Sequence, residues 1–149
     1  MKKLILVASL ALTSLLTAPV QAATSTGTFN VNINLTSACV YAKTADVAFA
    51  YTSFQGAAAT ATAGGFTLQC TNTLPYTLAL DLTSITDQAT NLAYTVALSA
   101  SSGTGSGVAQ SYSVTGSMAS GQTGTCAAAG GACTNTASTN KVRTLTITY

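Results

Sequence analysis

Apolar and polar residues alternate along most of the chain. Phe29, Val31, Ile33 and Leu35 are interleaved with Asn30, Asn32 and Asn34. The same two-residue period returns at Val47, Phe49 and Tyr51, at Phe66, Leu68 and Cys70, and at Tyr76, Leu78, Leu80 and Leu82. It recurs at Leu92, Tyr94, Val96 and Leu98, at Tyr112 and Val114, and at Leu145, Ile147 and Tyr149. Successive side chains of a strand point to opposite faces, so this period, carried by β-branched and aromatic residues, predicts half-buried strands. No segment has a helical period. Turn chemistry falls between the runs: Gly64-Gly65, Asn72 to Pro75, the Gly/Ser stretch Ser101 to Gly107, and the long polar stretch Gly116 to Asn140. The Ala-rich patches 57–65 and 127–132 carry Thr and Gly, which make them loops or edge strands rather than helices. About seven short strands in one small domain predict an antiparallel β-sandwich without an internal boundary.

The first residues follow another pattern. Lys2 and Lys3 precede an apolar run from Leu4 to Leu16, and Val20-Gln21-Ala22 places small residues where a signal peptidase needs them. Residues 1–22 are therefore expected to be a signal peptide. The apolar run of about 13 residues is short of the roughly 20 that a spanning helix needs. Export through the periplasm to the cell surface follows from that expectation. Ala23 to Tyr149 is long enough for one domain with a core. Beyond the leader, Lys43, Lys141 and Arg143 stand against Asp46, Asp81 and Asp87, so the net charge is zero. A neutral surface cannot bind nucleic acid by neutralising phosphates. Low charge hinders the solubility of a free monomer and suits a protein packed in a polymer.

Composition removes several kinds of chemistry. The chain has no His, and Ser/His/Asp catalysis is excluded with it. Gly103, Gly105 and Gly107 spell G-x-G-x-G, but no helix follows to form a phosphate cradle. Neither an enzyme nor a small-molecule substrate is expected. Cys39, Cys70, Cys126 and Cys133 lack the close spacing of a zinc site, so no metal or cofactor is expected either. An even cysteine count in an exported chain implies disulfides. Three pairings are open, and Cys39–Cys70 with Cys126–Cys133 is the expected set, contributing about 3.7 and about 2.5 kcal/mol in the chain-entropy model. A small outer-membrane β-barrel is an alternative architecture, but its strands need about 10 residues and aromatic girdles, and these runs are shorter.

The segment at 23–36 carries the functional expectation. Its alternate apolar side chains, Phe29, Val31, Ile33 and Leu35, suit the pockets of an acceptor sheet, and the Asn residues between them suit water. A terminal segment of this kind either forms the first strand of its own sandwich or adds to the sheet of another chain, a form of β-augmentation. Burying four such side chains stabilises by roughly 6–12 kcal/mol before strand ordering is subtracted. The last run, Leu145 to Tyr149, is apolar on one face with no further strand after it, which favours a cover from outside.

An ordered set of segments resembles the spore coat protein U domain family, which includes subunits of archaic chaperone–usher pili. TGTFNVNINLTSAC is similar to the family's N-terminal donor segment and first Cys, ADVAFAYTSFQG to its short strand and turn, and GGFTLQCTNTLPYTLALD to its second-Cys strand and the strand after it. GSMASGQ and RTLTITY resemble its late turn and final strand. The resemblance implies an incomplete immunoglobulin-like β-sandwich over 37–149, completed by donor-strand exchange. It implies a periplasmic chaperone and an outer-membrane usher as partners, with identical or related subunits in a fibre that supports adhesion or biofilm formation. By position, Phe29, Val31, Ile33 and Leu35 become donor residues. Arg143, Leu145, Ile147 and Tyr149 become the strand that lines the groove and meets the chaperone. Cys39 and Cys70 match the family's disulfide, whereas Cys126 and Cys133 are an additional pair. The stretch from Asp87 to Gly107 is shorter and less charged than the family's pattern. The family name also leaves assembly into a spore coat as an alternative to a pilus.

Overall fold

The computed structural model describes residues 22–136 and 140–149. All of the predicted signal peptide except Ala22 lies outside the described residues. The chain divides after Asn34 into two units. In the first, residues 22–34 belong to no strand and are exposed throughout.

The second unit is all-β, with no helix among the described residues. One sheet contains β1 (Cys39–Ala45), β2 (Ala59–Thr60), β3 (Gly64–Cys70), β5 (Ser84–Thr86), β6 (Ala93–Leu98) and β8 (Gln110–Met118). Their order is β1-β3-β8-β6-β5, with β2 also on β8. The other sheet has the order β7-β4-β9, formed by β7 (Ser102–Thr104), β4 (Pro75–Leu80) and β9 (Leu145–Thr148). Every ladder is antiparallel. The two sheets form a sandwich-like arrangement consistent with an immunoglobulin-like fold. Among the described residues both sheets have free ends rather than closing on themselves, which is a sandwich arrangement and not the barrel alternative, because a barrel gives every strand two neighbours.

The alternation becomes inside and outside as expected. In β3, Phe66, Leu68 and Cys70 are buried; in β4, Tyr76 and Leu78 are. These five form the core cluster, and Leu98, Tyr112, Val114, Leu145 and Ile147 pack on it half-buried. The Phe66 and Tyr112 rings stack with centroids 5.3 Å apart. In β9, Leu145 and Ile147 turn inward while Thr146 and Thr148 face water.

Several segments differ from the pattern reading: β5 is a strand that the alternation did not mark, and β7 lies in the Gly/Ser stretch read as a turn. Cys39–Ala45 forms a strand that the alternation did not mark, held to β3 in the register Cys39↔Cys70 with a bulge between Lys43 and Ala45. Val47, Phe49 and Tyr51 are half-buried but form no strand; the segment has only the single bridge Ala48↔Thr62. Leu82 lies beyond the end of β4 and is 53% exposed.

Gly105 holds the turn region around Thr73 in place. Its amide donates to the Leu74 carbonyl and its carbonyl accepts from Thr73, each at 2.8 Å. A Cβ here would land on the Thr71 carbonyl oxygen and crowd Cys70, both fixed by backbone. Gly105→Ala is expected to destabilise the domain by about 2–3 kcal/mol through overpacking, read as a lower urea midpoint.

Candidate functional site

The two sheets do not meet along one side. β1 is the end strand of its sheet and β9 the end strand of the other, and each has one paired edge among the described residues. Between them opens a cleft of about 870 Å³. Tyr41, Lys43 and Ala45 of β1 line it on one side and Leu145 of β9 on the other. Phe66, Tyr94, Val96, Val114 and Met118, from β3, β6 and β8, line it within the sandwich. Protein interiors are packed like organic crystals, with few voids larger than a water molecule. This cleft is larger than such voids, and core-type side chains share its lining with charged ones.

Local chemistry holds the walls. Cys39 and Cys70 face each other across the β1–β3 ladder and are joined, which fixes the edge strand. Thr71 extends that bond: its amide donates to the Ala38 carbonyl at 3.0 Å, and its hydroxyl accepts from the Ala38 amide at 3.0 Å. The second disulfide, Cys126–Cys133, closes a short loop, and Cys133, Thr134 and Asn135 also line the cleft. Asp87 is buried, and its Oδ1 accepts from the Ala89 and Thr90 amides and the Thr90 hydroxyl. That turn sets Thr90 and Leu92 in the lining.

Gln122, in the GSMASGQ segment, clamps the strand start at β6. Its side chain accepts from the Ala93 amide at 2.6 Å and donates to the Ala93 carbonyl at 2.9 Å. Its backbone amide donates to the Tyr51 hydroxyl at 2.8 Å, and its carbonyl accepts from the Phe54 amide at 2.9 Å. These bonds tie the Val47–Tyr51 segment, whose Phe49 lines the cleft, to the sheet without a ladder.

Every charged side chain after Ala22 belongs to this place. Lys43, Asp46, Asp87, Lys141 and Arg143 line the cleft, and Asp81 forms an ion pair with Arg143. Lys43 and Asp46 pair at 2.9 Å on the exposed rim, and the carboxylate's hydrogen bond pushes the ammonium pKa up. Arg143 is different. Its side chain is only 18% exposed, and Nη1 stands 3.5 Å from Asp81 Oδ2. Its Nε and Nη1 are shielded from water, with no hydrogen-bond acceptor among the described residues. Burial pushes the nearby Tyr94 phenol up, against the pull of the Arg143 charge; its hydroxyl donates to the Asn140 carbonyl at 3.3 Å.

In the closed core, Tyr76 donates to Gln110 Oε1 at 2.9 Å and shares a short hydrogen bond with the Tyr112 hydroxyl. Burial and this bond push its pKa up to about 12. Its folded pKa exceeds the ordinary value of 10, so the stability it contributes is whole below pH 10 and is lost as pH rises through about 12. Tyr76→Phe is expected to flatten that alkaline decline in a pH series of thermal melts.

Of the residues singled out by the sequence, Arg143 and Leu145 line the cleft. Ile147 packs half-buried on the core from the same face of β9, and Tyr149 is 58% exposed. Phe29, Val31, Ile33 and Leu35 are 86, 71, 88 and 77% exposed. The cleft residues Tyr41, Phe49, Leu92, Tyr94 and Met118 were not singled out as a site. Their spacing is the signal of an ordinary core, and only the gap between sheet edges distinguishes them.

A model of the Spore Coat Protein U domain matches residues 25–127, more than half of the chain. The chain belongs to the Spore Coat Protein U domain family. No curated protein and no solved structure matches it. The Spore Coat Protein U match begins inside the alternating segment that contains Phe29 to Leu35, takes in β1 to β8 and the Gln122 clamp, and ends before β9. The family is one of structural proteins of pilus or spore-coat type.

Proposed function

We propose that this chain is an exported structural subunit of a surface fibre, built by donor-strand complementation. Residues 23–36 of one copy enter the cleft of another, and residues 37–149 are the pilin-like domain that receives them. Phe29, Val31, Ile33 and Leu35 are the donor side chains; Arg143, Leu145, Ile147 and Tyr149 form the accepting strand. A periplasmic chaperone lends a strand to the same edge during transit, and an outer-membrane usher hosts the exchange. The fibre supports adhesion or biofilm formation, and the role is structural rather than catalytic.

The observation that carries this reading is the open cleft beside the edge of β9 that no described residue pairs. A strand placed there gains ladder hydrogen bonds from β9 and buries one side-chain row, the combination that β-augmentation uses. The alternating segment supplies such a row, and its large apolar side chains stand in water. Each gains about 1.5–3 kcal/mol on burial. Membership of the Spore Coat Protein U domain family agrees with a self-assembling structural role.

A synthetic peptide of residues 23–37 tests the reading. Added to the full chain from Ala23 to Tyr149 carrying Ile33→Asp in its own segment, it is expected to bind stoichiometrically and raise the melting temperature. A peptide of the same composition with its alternation scrambled is expected to do neither. Equal behaviour of the two peptides contradicts the proposal.

A further inference from the structure

We propose that Arg143 sets the register of the strand that enters the cleft. The inference rests on the donor-strand reading above and names the residue that makes that site selective.

Alternation cannot fix the register alone. A slip of one residue turns every apolar side chain outward and is forbidden, but a slip of two restores the same facing. The row Phe29, Val31, Ile33, Leu35 would fit an apolar groove nearly as well after such a slip. Something at one end of the groove must distinguish the registers.

Arg143 has the properties required. It lies just before β9, two residues ahead of the inward-facing Leu145, and lines the cleft. Its Nε and Nη1 are shielded from solvent and lack acceptors among the described residues, and its ion pair with Asp81 is long at 3.5 Å. The neighbouring polar groups are engaged: the Tyr94 hydroxyl donates to Asn140, and Asp87 Oδ1 holds the Thr90 turn. A strand that sets an apolar side chain against this guanidinium seals two unmet donors of a charged group, which is costly. A strand that sets a main-chain carbonyl or a hydroxyl there completes charge-assisted hydrogen bonds.

The donor segment is built to match in either direction. Along the inward parity, its four apolar residues are bounded by Gly27 within the segment and by Ser37, the residue that follows it. Both are small and leave a carbonyl or hydroxyl within reach. Whichever way the strand runs, one register places the apolar row beyond Arg143 and a small residue against it. A slip of two in one direction brings Phe29 or Leu35 there instead, and a slip the other way withdraws an apolar side chain from the far end of the groove. A single buried polar group fixes register in coiled coils by the same logic.

The test is a double-mutant cycle between protein and peptide, using the Ile33→Asp full chain with Arg143 intact, as Arg143→Met, and as Arg143→Lys. The probes are the 23–37 peptide and its Gly27→Leu and Ser37→Leu forms. With Arg143 intact, one of the two substituted peptides is expected to bind about tenfold or more weakly than the native one. Arg143→Met, of similar length and without donors, is expected to bring that ratio within about threefold, and Arg143→Lys to retain most of the discrimination. A purely structural role would weaken all three peptides together. An unchanged ratio in Arg143→Met overturns the register proposal and leaves the donor reading standing. Indifference of the Arg143 protein to both substitutions overturns it whether or not Arg143→Met folds. Failure of the native peptide to bind overturns the donor reading and this inference with it.

Discussion

Replacing Val31 or Ile33 by Asp is expected to abolish fibre formation while leaving export and folding of the subunit intact. Both side chains stand in water in the subunit, 71 and 88% exposed, so a carboxylate there costs the isolated chain little. In the cleft of another copy it would lie among Phe66, Val96, Val114 and Leu145. The substitution forfeits about 1.5–3 kcal/mol of apolar burial and adds the cost of desolvating a carboxylate among these apolar side chains. A combined loss of about 4 kcal/mol or more lowers subunit–subunit affinity about a thousandfold. Electron microscopy of sheared cell-surface material, with an immunoblot of the periplasmic fraction, reads both halves of the result. The outward-facing Asn30→Asp or Asn32→Asp is the matched control and is expected to keep fibres. Normal fibres from Val31→Asp would remove these residues from the donor role.

The second large effect is a gain. Fusing residues 24–36 behind Tyr149 through a short flexible linker supplies the strand in cis, beside the open edge of β9. An intramolecular donor acts at an effective concentration in the millimolar range, so the cleft fills without a second copy. The fused chain is expected to be a monodisperse monomer whose melting temperature exceeds that of the unfused chain by about 10 °C or more. The Ile33→Asp change within the fused copy should remove most of that gain. A native chain that is already a stable monomer, with a melting temperature the fusion leaves unchanged, would mean that the domain has no vacancy for a strand.

Five of the strands that bury one face were legible in the sequence, whereas β5, three residues long with Ile85 alone buried, is too short to show a period. β3, β4, β6, β8 and β9 each place alternate residues in the sandwich, so Phe66, Leu68, Tyr76, Leu78, Val96, Leu145 and Ile147 impose a period of two. β1 is an edge strand whose Val40, Tyr41 and Lys43 are exposed, and no buried face imposes an alternation on it. Val47, Phe49 and Tyr51 have the period without a ladder, because hydrogen bonds from Tyr51 and Gln122 fix that segment. The cleft was invisible for a related reason. Phe66 and Val96 line it and also belong to the buried set, and the same alternation specifies a filled core and the wall of an empty one. The resemblance placed Arg143 on the accepting strand, but its unmet donors depend on where Asp81 and Tyr94 lie in three dimensions.

The most direct test of strand donation is a cryo-EM reconstruction of the assembled fibre at a resolution that shows side chains. Residues 24–36 of one subunit are expected as a strand hydrogen-bonded to β9 of the next, with Phe29, Val31, Ile33 and Leu35 filling the cleft opposite β1. A fibre in which that cleft is empty, or is closed by residues of the same subunit, would contradict the account.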